Sequence, residues 1–160
     1  MTNTNLSAGK RAPAFTVPAT GGERVRLTEY RGYWVVLFFY GKDGGVHCSK
    51  IMKEFCVHHG VLTDHGAMVF GIGPGTTNSH EQFADDCELP FDLLVDHDNA
   101  VARKYGVWRE KRTQGRRYMG LVRSTFIIDP SGKVVRIFDN VRTKNHGNKV
   151  VEALLVEMAN

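Results

Sequence analysis

Seven consecutive apolar residues, Trp34 to Tyr40 (WVVLFFY), run directly into a glycine-rich stretch and then a cysteine, Cys48. The run is rich in β-branched and aromatic residues and is far too short to cross a membrane as a helix, so it reads as a strand buried on both faces. Gly41 to His47 reads as a turn, and Cys48 opens a helix whose Ile51, Met52 and Phe55 recur at helical spacing. A strand that passes through a turn into a helix places the turn at the carboxyl edge of a sheet, where α/β sites sit. A cysteine there meets unpaired backbone N–H groups and the positive end of the helix dipole, which favours thiolate over thiol.

The rest of the chain reads as a scaffold for that turn. Ala14 to Val17 and Arg24 to Leu27 flank Gly21-Gly22 as an N-terminal β-hairpin. The first helix is expected to run from Cys48 to His65, followed by a strand from Ala67 to Ile72. A helix over Ser79 to Cys87, a strand over Phe91 to Val95 and a short helix over Asn99 to Tyr105 come next. Trp108 to Tyr118 reads as a basic loop. Strands over Ser124 to Asp129 and Val134 to Phe138 flank a Pro130-Ser131-Gly132 turn, and His146 to Met158 closes the chain as an amphipathic helix. Alternating strands and helices followed by a hairpin predict an α/β fold with a central mixed β-sheet flanked by helices. Residues 1–160 form one expected domain, with a flexible N-terminus of about nine residues.

Charge and composition narrow the function. The net charge of +4 is mild and the basic residues are scattered apart from one dense patch, Arg109 to Arg117, so nucleic acid is not an expected partner; no apolar run approaches membrane-spanning length, so neither is a membrane. The N-terminus has no apolar signal core, and three cysteines without framework spacing fit a reducing, cytoplasmic compartment. His47, His58, His59 and His65 lie near Cys48, yet no HExxH or paired CxxC spacing appears, so no metal and no cofactor is expected. GIGPG (Gly71 to Gly75) reads as a strand exit rather than a phosphate loop, and Asp96 and Asp98 as turn and helix cap rather than a calcium loop. Cys56 lies two turns beyond Cys48, about 12 Å along an intact helix, too far for a disulfide without unwinding. Cys87, one turn after Phe83, reads as a packing residue.

The segment VVLFFYGKDGGVHCSK resembles the active-site stretch of peroxiredoxins of the Q type, the bacterioferritin comigratory protein group. KYGVWREK, YMGLVRSTFIIDPSGKVV and the closing helix extend the resemblance from about Gly9 to Met158. It implies a thioredoxin-like fold and a thiol-dependent peroxidase acting on hydrogen peroxide or alkyl hydroperoxides. Cys48 takes the peroxidatic position, where a thiolate attacks the peroxide and becomes sulfenic acid. Arg123 matches the arginine that stabilises thiolate and peroxide. Tyr40, Gly41, Gly45 and His47 fall in the implied substrate pocket. A thiol donor such as thioredoxin would reduce the enzyme, acting on a monomer or weak dimer.

The match to the family's Pro-x-x-x-Thr/Ser-x-x-Cys motif is degenerate. Gly41 stands at the proline position, Gly45 at the threonine position, and His47 where glycine usually precedes the cysteine. Losing one preorganised hydroxyl donor costs about 10²–10³ in rate, so a weakened peroxidase is expected. The family's resolving positions fall on Lys53 and Ala84, with Cys56 and Cys87 three residues beyond each as resolving candidates. The alternative reading is a non-catalytic redox sensor or binding module on the same scaffold.

Overall fold

The computed structural model describes residues 6–44 and 46–160, with 46–49 described by backbone alone. A hairpin, β1 (Thr16–Pro18) with β2 (Arg24–Arg26), precedes the central strand β3 (Trp34–Phe39). Helix α1 (Val46–Asp64), strand β4 (Ala67–Gly73), helix α2 (Thr77–Cys87), strand β5 (Asp92–Val95) and short helix α3 (Ala100–Lys104) follow. Strands β6 (Trp108–Thr113), β7 (Arg116–Leu121), β8 (Ser124–Ile128) and β9 (Val134–Phe138) lead to helix α4 (His146–Met158). The main sheet has the order β5-β4-β3-β8-β9, parallel on one side of β3 and antiparallel on the other. This is the mixed sheet expected from the element order.

The period-2 alternation of β3 sorts the core into two layers. Val35, Leu37 and Phe39 face the N-terminal hairpin and α3, packing with Phe15, Val25, Val101 and Tyr105. Val36 and Phe38 face the other way, into Ile51, Met52 and Phe55 of α1, Phe83 of α2, and Val150 and Leu154 of α4. Phe38 and Phe55 stack with ring centroids 4.1 Å apart, fixing α1 over the middle of the sheet. Each such fully buried side chain contributes about 1.5–3 kcal/mol of transfer free energy. Both faces being covered explains why β3 carries no polar residue at all.

Two expectations are corrected. Helix α1 begins at Val46, two residues before Cys48, so the cysteine lies inside the first turn rather than opening it. Near the N-terminus Leu6 is buried, and the Gly9 N–H donates to the Val134 carbonyl at 2.7 Å. Residues 1–5 lie outside the described residues. The Trp108–Tyr118 stretch is no loop but the β6–β7 ribbon, with Thr113 opposite Arg116 across Gln114-Gly115. Both turn residues have positive φ, 51° and 77°, the two-residue geometry that suits strand twist.

His146, at the start of α4, is 2% exposed and its Nε2 lies 2.8 Å from Thr125 Oγ1 on β8. Burial, aided by the Lys149 charge, pushes its pKa down to about 4. The unfolded chain therefore binds one more proton than the folded one between pH about 6.5 and about 4. Stability should fall as pH falls through that window, by up to about 3 kcal/mol from this group. Urea midpoints measured down to pH 4 in the parent and in His146→Gln check it: the variant should lose less stability on acidification. Equal losses in the two proteins would remove His146 as the cause.

Candidate active site

The carboxyl ends of β3, β4 and β5 and the start of β8 meet at one edge of the sheet, where the chain leaves β3 at Tyr40. Cys48 is the third residue of α1, so its backbone lies among the N–H groups that have no partner within the helix. Gly45, and the side chains of His47 and Cys48, lie outside the described residues.

Gly41 has φ +100°. Proline holds φ near −65°, so the backbone path taken here is closed to the residue that the resemblance places at this position. The turn is then fixed by a buried polar cluster instead. Asp43 accepts hydrogen bonds from the Tyr40 hydroxyl at 2.7 Å and the Ser79 hydroxyl at 2.8 Å, and its Oδ2 lies 2.8 Å from His80 Nδ1. His80 is fully buried in α2, and its Nε2 faces the carbonyls of Gly73 at 3.1 Å and Leu94 at 3.0 Å. Carbonyls only accept, so Nε2 carries a proton. Burial works against an ionised Asp43, but hydrogen bonds from His80, Tyr40 and Ser79 outweigh it and hold its pKa below the usual carboxylate value. Nδ1 faces the Asp43 carboxyl group, so the ring bridges Asp43 and the two strand-end carbonyls.

The strand exit GIGPG makes room for this cluster. A Cβ on Gly73 would lie 3.1 Å from the Gly41 carbonyl and from the Tyr40 ring, and one on Gly75 would lie 2.9 Å from Ser79 Oγ. Thr76 caps α2 in a reciprocal capping box with Ser79. No sequence motif relates Asp43 to Ser79 and His80. The GIGPG glycines were the only signal that something approaches this strand end closely.

Arg123 comes to the same edge from the other side of β3. Ser124 registers opposite Phe39, so the next position back along the antiparallel ladder falls beside Tyr40. Its guanidinium Nε is buried and has no hydrogen-bond partner among the described residues. Desolvating a donor without a partner costs about 1–3 kcal/mol, more for a charged group, so this nitrogen is poised for an acceptor. Arg109, on β6, pairs instead with Asp139 through both guanidinium nitrogens and with the Gly106 carbonyl at 2.9 Å, which secures the base of the ribbon.

Asp96 accepts from the N–H groups of Val101 at 2.8 Å and Ala102 at 2.9 Å, the cap role read from the sequence. Cys56 and Cys87 are both half-buried and line one cavity. Burial raises the Cys56 thiol, and Cys87 raises it further; burial and Asp86 raise Cys87, with Lys53 opposing. Among the described residues no group of three or more His, Cys, Asp or Glu side chains converges as a metal site.

Comparison with known proteins matches residues 8–137 to the AhpC/TSA family model. The chain belongs to the AhpC/TSA family. Within it, the chain is 35% identical to peroxiredoxin Bcp of Bacillus subtilis over 149 residues, 93% of each chain. It is 36% identical to peroxiredoxin Bcp of Escherichia coli, covering 93% of this chain and 96% of that one. The bacterioferritin comigratory protein of Xanthomonas campestris, described for its alkyl peroxide reduction activity, superposes with a TM-score of 0.87 at 27% identity, covering 97% of this chain and 99% of that one. The family's thioredoxin-like architecture, with its N-terminal hairpin and helix-flanked mixed sheet, is the one found here.

Proposed function

We propose that this chain is a thiol-dependent peroxidase that reduces hydrogen peroxide or small alkyl hydroperoxides through Cys48. Its curated relatives are named peroxiredoxins, which favours this reading over a non-catalytic sensor or binding module. The observation that carries it is the juxtaposition at one sheet edge of the first turn of α1, holding Cys48, and Arg123 with its buried, unpartnered Nε. In this reading the Cys48 thiolate attacks the distal peroxide oxygen. The O–O bond breaks, the alcohol or water leaves, and the sulfur becomes sulfenic acid. Arg123 stabilises the thiolate beforehand and hydrogen-bonds oxygen as charge develops. Tyr40, Gly41, Gly45 and His47 border the peroxide site. Cys56 or Cys87, and then thioredoxin or another thiol donor, return the sulfur to the thiol.

The reading extends to the working unit. Residues 1–160 act as one thioredoxin-like domain, in a reducing cytoplasmic compartment, as a monomer or weak dimer. Among the described residues no helix is long and apolar enough to cross a membrane.

Stopped-flow mixing of the reduced protein with hydrogen peroxide tests the proposal. Cys48 should oxidise orders of magnitude faster than a free thiol, and Cys48→Ser should abolish the fast phase. A rate equal to that of free cysteine would sink the peroxidase reading.

A further inference from the structure

The cavity that Cys56 and Cys87 share has a volume of about 430 Å³ and lies between α1 and the C-terminal end of α2. Met52, Lys53, Asp86 and Glu88 complete its walls. Both cysteines also pack on the apolar layer that covers this face of the sheet. Met52 lies one helical turn beyond Cys48 and one turn before Cys56, so the cavity reaches along α1 toward the cysteine of the first turn. Cys87 is the last residue of α2, and Glu88 behind it ends the helix in a left-handed conformation with φ 50°.

We propose that Cys56 and Cys87 form a second redox centre: a dithiol across this cavity that takes over the oxidising equivalent captured at Cys48 and holds it as a Cys56–Cys87 disulfide. This rests on the peroxidase reading of Cys48. Its chemistry has two steps after sulfenic acid forms. The Cys87 thiolate attacks the Cys48 sulfur, an S–S bond forms, the S–O bond breaks, and the hydroxide leaves as water after taking a proton. The Cys56 thiolate then attacks the Cys87 sulfur, and Cys48 leaves as a thiolate. The net change is one hydroperoxide and two thiols giving one alcohol, one water and one disulfide. The external thiol reductant then acts on Cys56–Cys87 rather than on Cys48.

The order of steps follows from position. Cys56 sits in mid-helix about 12 Å along the axis from Cys48 and cannot reach it while α1 is intact. Cys87 needs only the last turn of α2 to fray, and terminal turns open at low cost. The direction follows from charge. In thiol–disulfide exchange the thiol of lower pKa is the better leaving group. The helix terminus favours a thiolate at Cys48, whereas burial raises both Cys56 and Cys87. Negative charge therefore rests best on Cys48, and the disulfide on the other two.

Mapping the disulfide formed in one turnover tests this. The reduced full-length chain is given one equivalent of hydrogen peroxide without reductant, quenched in acid, alkylated and analysed by non-reducing peptide mass spectrometry. The free-thiol count should fall from three to one, with Cys56 linked to Cys87 and Cys48 recovered alkylated. Cys56→Ser should trap Cys48 linked to Cys87. Cys48 found in the final disulfide of the parent chain, or found as sulfenic or sulfinic acid beside two free thiols, overturns the relay and leaves the peroxidase reading intact. A Cys56–Cys87 link formed as fast in Cys48→Ser also overturns the relay. Cys48 remaining reduced overturns both.

Discussion

Arg123→Met should slow the oxidation of Cys48 by hydrogen peroxide by about 10²–10³-fold, the usual cost of removing one preorganised donor aimed at developing charge. The buried guanidinium Nε has no other partner among the described residues, so the substitution breaks no competing interaction there. Two contributions go together. In the proposed mechanism the cation beside the thiolate is lost, so a smaller fraction of Cys48 would be ionised at neutral pH. The donor to the peroxide oxygen is lost too, so each thiolate reacts more slowly. A pH titration of thiolate absorbance separates them: the thiol pKa should rise in Arg123→Met. Arg123→Lys should restore charge without the planar fork, recovering pKa more fully than rate. An unchanged rate in Arg123→Met would leave Arg123 a structural residue.

Asp43→Leu should destabilise the protein by about 1–3 kcal/mol, the cost of leaving buried polar groups without a partner. His80 is fully buried, and its Nδ1 would lose the partner it has in Asp43. Tyr40 and Ser79 would each lose one hydrogen bond in the same change. His80→Leu should cost less, because Asp43 is partly exposed and keeps two hydroxyl donors. The double variant should be more stable than the sum of the single losses predicts, since neither group is then left alone; urea unfolding of all four proteins measures this coupling. Additive losses would mean that the two side chains do not act as a pair. The same variants should slow Cys48 oxidation, because the cluster is what ties the turn before α1 to α2.

Local pattern carried most of the architecture. The unbroken apolar run of β3, the helical spacing after it and the Pro130-Ser131-Gly132 turn were enough for element order and layering, since burial on both faces leaves a readable signature. The β6–β7 ribbon escaped because its residues are mostly exposed or half-exposed and its strands alternate no apolar face. Only Gln114-Gly115 marked it, and Gln is an unusual residue at positive φ. At the candidate site, the turn, Cys48 and Arg123 were legible through motif spacing. The backbone path through Gly41 was not, because a glycine permits many conformations and specifies none.

The sequence by itself determined the layered α/β fold, the cysteine at the start of a helix and the family to which these belong. Those depend on short-range periodicity and on motif spacing, which a linear chain displays directly. Only the tertiary structure decided that Asp43 meets His80 across 37 positions, that Arg123 arrives beside the turn from β8, and that Cys56 and Cys87 face one cavity. Each of these joins residues that no local spacing relates. They come together because strands β3, β4 and β8 share one edge, and because the core layers beneath hold α1 and α2 against it.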